Sequence, residues 1–410
     1  MISKLPRGII SHDLNESILF LIKSLFYKLD NRKEIKSLES ELSNKLESDY
    51  CTSFGLARTA IYFILKYLDH PPGTKILLPP ITIKGILDVV INLGYEPIYL
   101  DIDTKTYVPS IDSINELDSE IKVALITPLY GVIPDFEKIS YSLRSRNIYS
   151  ILDFSHCFGA KFNNQFINNY FDASVYSSSS IKILDTLGGG HAFTNDENLN
   201  LNLKHSQSSL SPSKRRNIIF KSWINLIRNL ATQKILFSFI TFPLIKYLTQ
   251  FLKTSTLKMT GDRNKFPEKE LPTSWFNQFS SLQASIGLKM IEKVSKNDSY
   301  RIGCAREVIE SVGKEYFAED GDNNNVYWQL IFVVQNTDHF QKFCLNRGID
   351  IATSSLLLVS DLQNYQGRKQ LGNASNLYNK GCLIPCNYRL KPTERKRLTN
   401  VLEDYIEEAS

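Results

Sequence analysis

None of the six cysteines, Cys51, Cys157, Cys304, Cys344, Cys382 and Cys386, stands in a CxxC pair. That spacing is what a zinc ribbon or a dithiol redox motif would need, so no metal site is expected. Scattered cysteines in a chain of 410 residues also fit a reducing, cytoplasmic compartment better than a small secreted scaffold. The first ten residues lack a charged stretch leading into an apolar run and a small-residue cleavage site, so no export signal is expected. The net charge is only +5, too small an excess to announce nucleic acid as a partner. No internal repeat and no low-complexity linker breaks the chain. With 42% hydrophobic residues it can bury a large core, and its length suits two packed lobes.

From about Thr52 to Asp196 helix-like and strand-like segments alternate, the pattern of an α/β domain with a largely parallel sheet. Strands are expected at 75–79, 97–102, 123–128, 149–153, 173–177 and 191–194, each a short apolar run closed by Pro, Gly, Asp or Ser. Helices are expected at 59–68, 86–93 and 136–144, with Gly94 as a C-terminal cap. After Leu271 the text becomes amphipathic again, with a helix around 281–294 and a mixed tail that reads as a smaller second lobe. The expected division is an N-terminal arm with helices (1–50), a large domain (51–265) and a linking helix with a small C-terminal domain (266–410).

One stretch departs from the alternation and is read as a helical insertion, about 204–260, in the large domain. Between Glu197 and Asp262 there is no acidic residue, while ten Lys and Arg run from Lys204 through Lys214, Arg215 and Arg216 to Lys253 and Lys258. Ile218, Ile219, Trp223, Ile224, Ile227 and Leu230 fall near helical spacing, which suits a basic amphipathic helix lying on anionic lipid. The run 235–245 is very apolar, yet it is too short and too interrupted, by Pro243 and Lys246, for the roughly 20 residues a bilayer span needs. A peripheral membrane contact through 214–258 is therefore expected, against the competing expectation that these helices pack on the large lobe or cap a neighbour's site.

The chemistry-bearing text is Ser177-Ser-Ser-Ser-Ile-Lys182 followed by Gly188-Gly-Gly-His-Ala-Phe-Thr-Asn195, with Ile151-Leu-Asp-Phe-Ser-His156 upstream at another strand end. Asp153 closes an apolar strand, where a carboxylate is costly unless a cation meets it. Further landmarks are the text from Ser53 to Ile61, Pro72 to Pro80, Gly94 to Asp103, and Leu129-Tyr-Gly131. In order and spacing these resemble the DegT/DnrJ/EryC1/StrS family of pyridoxal-phosphate (PLP) sugar aminotransferases.

The resemblance implies the fold type I PLP-transferase architecture, a large domain with a mostly parallel central sheet flanked by helices plus a smaller α/β C-terminal domain. It implies that Lys182 joins the PLP aldehyde and later moves a proton, and that Asp153 holds the pyridine nitrogen protonated so that the ring can take up electrons. His156 would lie against the ring. The backbone amides of Arg58 and Thr59 at a helix start, the Arg58 side chain and the Ser177 hydroxyl would hold the phosphate. Where relatives have an aromatic residue over the ring, this chain has Ile81 and Ile83, and Phe276-Asn-Gln278 replaces the Asn-x-Arg text that relatives send into the neighbouring subunit. The implied activity is transfer of an amino group from glutamate or a similar donor to a keto-sugar in surface-polysaccharide or cell-envelope biosynthesis, in a homodimer. The departures motivate two alternatives, a PLP-binding regulator or scaffold in envelope synthesis, and another PLP reaction on an amino acid.

Overall fold

The computed structural model describes residues 3–251, 270–318, 324–362 and 371–409; Lys253 and Lys258 of the basic stretch and the expected boundary at 265–266 lie outside these. Seven strands form the large sheet: β1 (Tyr50–Phe54), β2 (Lys75–Leu78), β3 (Glu96–Tyr99), β4 (Ile121–Ile126), β5 (Tyr149–Asp153), β6 (Ala173–Ser177) and β7 (Gly190–Thr194). Their order is β3-β2-β4-β5-β6-β7-β1, parallel from β3 to β6, with β7 antiparallel to both neighbours. The parallel strands are short apolar runs because both faces are covered: Ile76, Val123, Ile151 and Val175 are fully buried. This is the fold type I arrangement.

β1 was not among the expected strands, and the sequence gives a physical reason. It is an edge strand whose ladder is with β7, and its Thr52 and Ser53 bond Asn200 and His191 instead of continuing an apolar run. The helix that follows, α3 (Ala57–Leu68), therefore starts two residues before the expected 59. Two helices precede β1, α1 (Leu14–Phe26) and α2 (Arg32–Leu46). After β2 comes α4 (Lys84–Asn92), and Gly94 at φ +81° turns the chain into β3.

A second, three-stranded sheet is antiparallel: β8 (Leu330–Val333), β9 (Ala352–Thr353) and β10 (Gly381–Ile384), in the order β8-β10-β9. A long helix (Ser281–Val312) runs beside both sheets, giving Leu282, Ala284 and Met290 to the large core and Cys304, Ala305 and Val308 to the small one. It continues well past the expected end near 294, although the text after Val294 is polar. Arg301 is buried there, and its guanidinium donates to the carbonyls of Val326 and Tyr327 and to Asp298. A short ladder, Leu357–Leu358 with Ile81–Thr82, ties the two sheets' loops together beside the large sheet's carboxyl edge.

The inserted stretch begins with α5 (Arg215–Thr232) and continues through a π-turn into α6 (Phe242–Gln250). α5 lies along α1, and the stripe expected to face lipid is only partly turned outward. Of the expected stripe only Ile218 is buried; Ile219, Ile224 and Leu230 are half-buried, and Trp223 and Ile227 are exposed. The inward side mixes Ile218 and Leu226 with the polar Ser222, Asn225 and Asn229. Asn225 accepts from the Ser17 hydroxyl at 2.7 Å, and Asn229 donates to Ser17 and to the His12 carbonyl at 2.9 Å each. Among the described residues no helix is long and apolar enough to cross a membrane.

Candidate active site

The carboxyl ends of the parallel strands meet the start of α3 at one edge of the large sheet, the place where open α/β sheets bind ligands. Asp153 ends β5 opposite Val175, and Ser177 ends β6 two residues further on. β1 runs parallel to β6 with β7 between them, and so delivers α3 to the same edge. Close approach here depends on Gly190: a Cβ on it would sit 2.2 Å from the backbone of Ala57. A cavity of about 150 Å³ opens at this edge, and its lining includes Arg58, Asp153, His156, Ser177 and Lys182.

Lys182 follows a turn in which its amide donates to the Ser179 carbonyl at 3.1 Å. Burial pushes its amine down to about 8, opposed by the nearby Asp153 carboxylate. A lysine so placed is uncharged far more often than a surface one, which is what nucleophilic amine chemistry requires. Two other lysines compete on sequence. Lys84 is fully buried in an ion pair with Asp88 at 2.7 Å, and Lys161 sits at the surface near Glu47. Neither lines this cavity.

Asp153 accepts from the Ser155 amide at 3.0 Å and the Ser155 hydroxyl at 2.5 Å. Burial raises its carboxyl above the ordinary range, while these bonds and the Lys182 charge pull it back. The Ser155 hydroxyl in turn accepts from the Ser177 amide at 2.9 Å, locking the ends of β5 and β6 together. His156 is buried, and its Nδ1 accepts from the Tyr130 amide at 3.0 Å. Burial and the neighbouring Lys182 hold its ring well below the usual histidine range, so it is neutral.

The structure also adds Trp328, which the sequence did not single out. Its ring stacks on His156 with centroids 4.0 Å apart, and Lys182 Nζ lies 4.0 Å from the ring centre. Its indole N–H donates to the Ile181 carbonyl at 2.7 Å. Ile181 adopts φ +73°, a left-handed conformation that costs a β-branched residue about 1–3 kcal/mol and recurs at functional turns. Trp328 is brought in by the Leu129–Gly131 turn, where Gly131 at φ +92° packs so tightly on Tyr327 and Trp328 that a Cβ would come within 2.5 Å of the Trp328 amide. No local pattern around 328 signals this, because the contact is made by a turn almost 200 residues earlier.

α3 begins without a side-chain cap, its N-cap being Leu56, and its first turn borders the cavity beside the Ser177 and Ser179 hydroxyls. Arg58 lines the cavity, with its guanidinium 4.5 Å from the centre of the Trp275 ring. Thr59 points elsewhere. Its amide donates to the Leu56 carbonyl, its hydroxyl to the Trp275 carbonyl at 2.8 Å, and it does not line the cavity. Ile81 and Ile83 both line it, the first fully buried and the second exposed. On its other side Lys182 reaches a second cavity of about 270 Å³, walled partly by Arg228, Thr232, Asn387 and Tyr388.

Residues 14–217 match the sequence model of the DegT/DnrJ/EryC1/StrS aminotransferase family. The chain belongs to this family. It is similar to a GDP-perosamine synthase of Escherichia coli O157:H7, 26% identical over 166 residues, covering 40% of this chain and 46% of that protein. It is also similar to a UDP-2-acetamido-2-deoxy-3-oxo-D-glucuronate aminotransferase of Pseudomonas aeruginosa, 30% identical over 176 residues, covering 40% of this chain and 47% of that one. The chain thus spans about half the length of the curated relatives it matches. Among solved structures, an aminotransferase from Psychrobacter cryohalolentis shares the fold at a TM-score of 0.75 and 17% identity, over 98% of this chain and 99% of that one. Within this DegT/DnrJ/EryC1/StrS chain, Asn277 turns back on its own loop, its amide donating to the Ser274 carbonyl at 2.6 Å.

Proposed function

We propose that this chain is a pyridoxal-phosphate-dependent aminotransferase that moves an amino group from glutamate or a similar donor to a keto-sugar in surface-polysaccharide or cell-envelope biosynthesis. The observation that carries the reading is Lys182, an amine shifted to about 8, beside a buried carboxylate and an uncapped helix start in one cavity. The names of the two curated relatives support a nucleotide-linked sugar as the acceptor class.

The donor set fits the cofactor. An uncapped helix start with two serine hydroxyls suits a phosphate, a buried carboxylate suits a ring cation, and the amine suits an aldehyde. Pyridoxal phosphate, when bound, supplies the aldehyde that carries the amino group and the ring that takes up the electron pair left by a departing proton. Lys182 would hold the cofactor through Nζ and, once released, carry a proton on that atom. Asp153 would keep the ring nitrogen protonated, with Ser155 fixing its carboxylate. His156, neutral, and Ile81 and Ile83 would flank the ring, and Arg58 with Ser177 would hold the phosphate. Thr59 would act only by building the start of α3. Trp328 would exclude water from the Lys182 side and orient the amine.

The same reading takes the protein as a cytoplasmic homodimer that touches the inner face of the membrane through 214–258. To test the main reading, purified protein reconstituted with pyridoxal phosphate is mixed with glutamate, and the visible absorbance and released 2-oxoglutarate are followed. Loss of the visible band with stoichiometric 2-oxoglutarate is expected. A stable visible band that no amino donor changes would contradict it.

A further inference from the structure

The layer formed by α1 and α5 joins its helices partly through polar side chains and turns many apolar ones outward. Ser17 bonds Asn225 and Asn229 across the pair, while the buried residues also include Phe20, Ile218 and Leu226 alongside Ser24 and Ser222. Outward, α1 presents Ile18, Leu19, Ile22, Leu25 and Phe26, with Phe26 83% exposed. α5 presents Phe220, Trp223 and Ile227. The chain after it exposes further apolar side chains, Ile235, Phe239, Ile240, Leu244, Tyr247 and Phe251. A helix pair facing water keeps its outer faces mainly polar. Polar side chains joining helices whose outer faces are apolar belong to a lipid environment.

Basic side chains predominate where the two helices meet. Arg215, at the start of α5, donates to the Ser24 and Tyr27 carbonyls at the end of α1, each at 2.9 Å. Lys28, Lys214, Arg215 and Arg216 are all exposed there. Asp30 lies 4.0 Å from Lys28 and Glu34 accepts from the Tyr27 hydroxyl, while no acidic residue occurs from 198 through 261. Trp223 and Tyr247 are side-chain types that sit at the headgroup level. With no described helix long enough to cross, the layer can lie on a bilayer but not span it.

We infer that α1 and the α5–α6 stretch together form a docking face for an anionic lipid surface, with their apolar stripes seated at the boundary of headgroups and acyl chains. This rests on the peripheral-contact reading and extends it to α1, a helix outside the inserted stretch; it does not depend on transamination. The docking face and the site are two sides of one helix, because α5 also gives Arg228 and Thr232 to the cavity that reaches Lys182.

The test uses the full-length, cofactor-reconstituted protein and flotation with vesicles of phosphatidylcholine alone or mixed with phosphatidylglycerol, at low and high salt. Three variants are compared: Ile22→Gln with Phe26→Gln in α1, Phe220→Gln with Trp223→Gln in α5, and Lys214→Gln with Arg216→Gln. Arg215 is left in place because it ties the helices together. Binding only to the phosphatidylglycerol vesicles is expected, weakened about tenfold or more by salt or by the basic variant. Both apolar variants should weaken it while thermal midpoint and glutamate-dependent turnover stay unchanged. Binding lost in the α5 variant but kept in the α1 variant overturns the two-helix face and leaves the peripheral contact standing. Absence of binding to either vesicle overturns both, whatever the glutamate assay gives. If instead the α1 variant abolishes a concentration-dependent association seen by light scattering and vesicles are never bound, a second copy covers this face and the inference fails.

Discussion

Around Lys182 and between α1 and α5 the molecule buries polar groups to opposite effect. At the strand ends, Asp153 and His156 accept bonds that fix them, yet they border a cavity where the Lys182 amine is shifted to about 8. In the helix layer, Ser17, Asn225 and Asn229 bond mainly to one another, and apolar side chains are turned outward. Buried polarity therefore marks chemistry only where it faces open space; where it closes on itself, the information lies on the other side of the helix. The two regions should respond differently to substitution. Changes at the first should alter turnover with little effect on folding; changes at the second should alter stability from its buried polar side or surface binding from its outward side, with little effect on chemistry.

The largest effect expected is from Lys182→Ala, which should remove the visible cofactor band and lower turnover by about a thousandfold or more, with an unfolding midpoint close to that of the parent. Next is Asp153→Asn, expected to lower turnover about a hundredfold while folding is kept. It also carries a pH signature. The Lys182 amine is protonated below about 8 and neutral above it, and only the neutral form attacks an aldehyde. The rate at which cofactor-free protein takes up pyridoxal phosphate should therefore rise with pH through about 8 and then level. The Asp153 carboxylate helps keep the proton on that amine, so in Asp153→Asn the midpoint should move to lower pH. A rate independent of pH in both proteins would detach Lys182 from uptake.

Trp328→Ala removes a cation–π contact and the stack on His156, together about 1–2 kcal/mol, so kcat/KM should fall about tenfold with the lysine linkage intact. The smallest effect on chemistry is expected in the helix layer. Asn229→Ala withdraws two donors from buried acceptors and should cost about 1–2 kcal/mol of stability, read as a lower thermal midpoint with turnover unchanged. A turnover loss in Asn229→Ala as large as that in Trp328→Ala would erase the contrast between the two regions.

The parallel strands were legible because a strand buried on both faces must be a short apolar run, and 149–153 and 173–177 were expected with the bounds they have. β1 escaped notice because an edge strand with Thr52 and Ser53 in side-chain bonds has no such run. The spacing of Asp153, His156, Ser177 and Lys182 was legible through a shared family pattern, and the fold gathers all four on one cavity. Thr59 was expected there through its backbone amide at a helix start, but α3 begins at Ala57 and that amide donates to the Leu56 carbonyl. Trp328 could not be read at all, since its place depends on the distant Leu129–Gly131 turn. On α5, Ile, Leu and Trp occur on several sides, so the spacing did not separate the side packed on α1, with Ile218, Asn225, Leu226 and Asn229, from the side left outward, with Trp223 and Ile227.

The most direct test of the central claim is to reduce the pyridoxal-phosphate-loaded protein with borohydride, digest it and map the pyridoxyl group by mass spectrometry. The account predicts a single labelled peptide carrying the group on Lys182, and no labelling in Lys182→Ala. A pyridoxyl group on Lys84, Lys161 or any other lysine of the wild-type protein would contradict it.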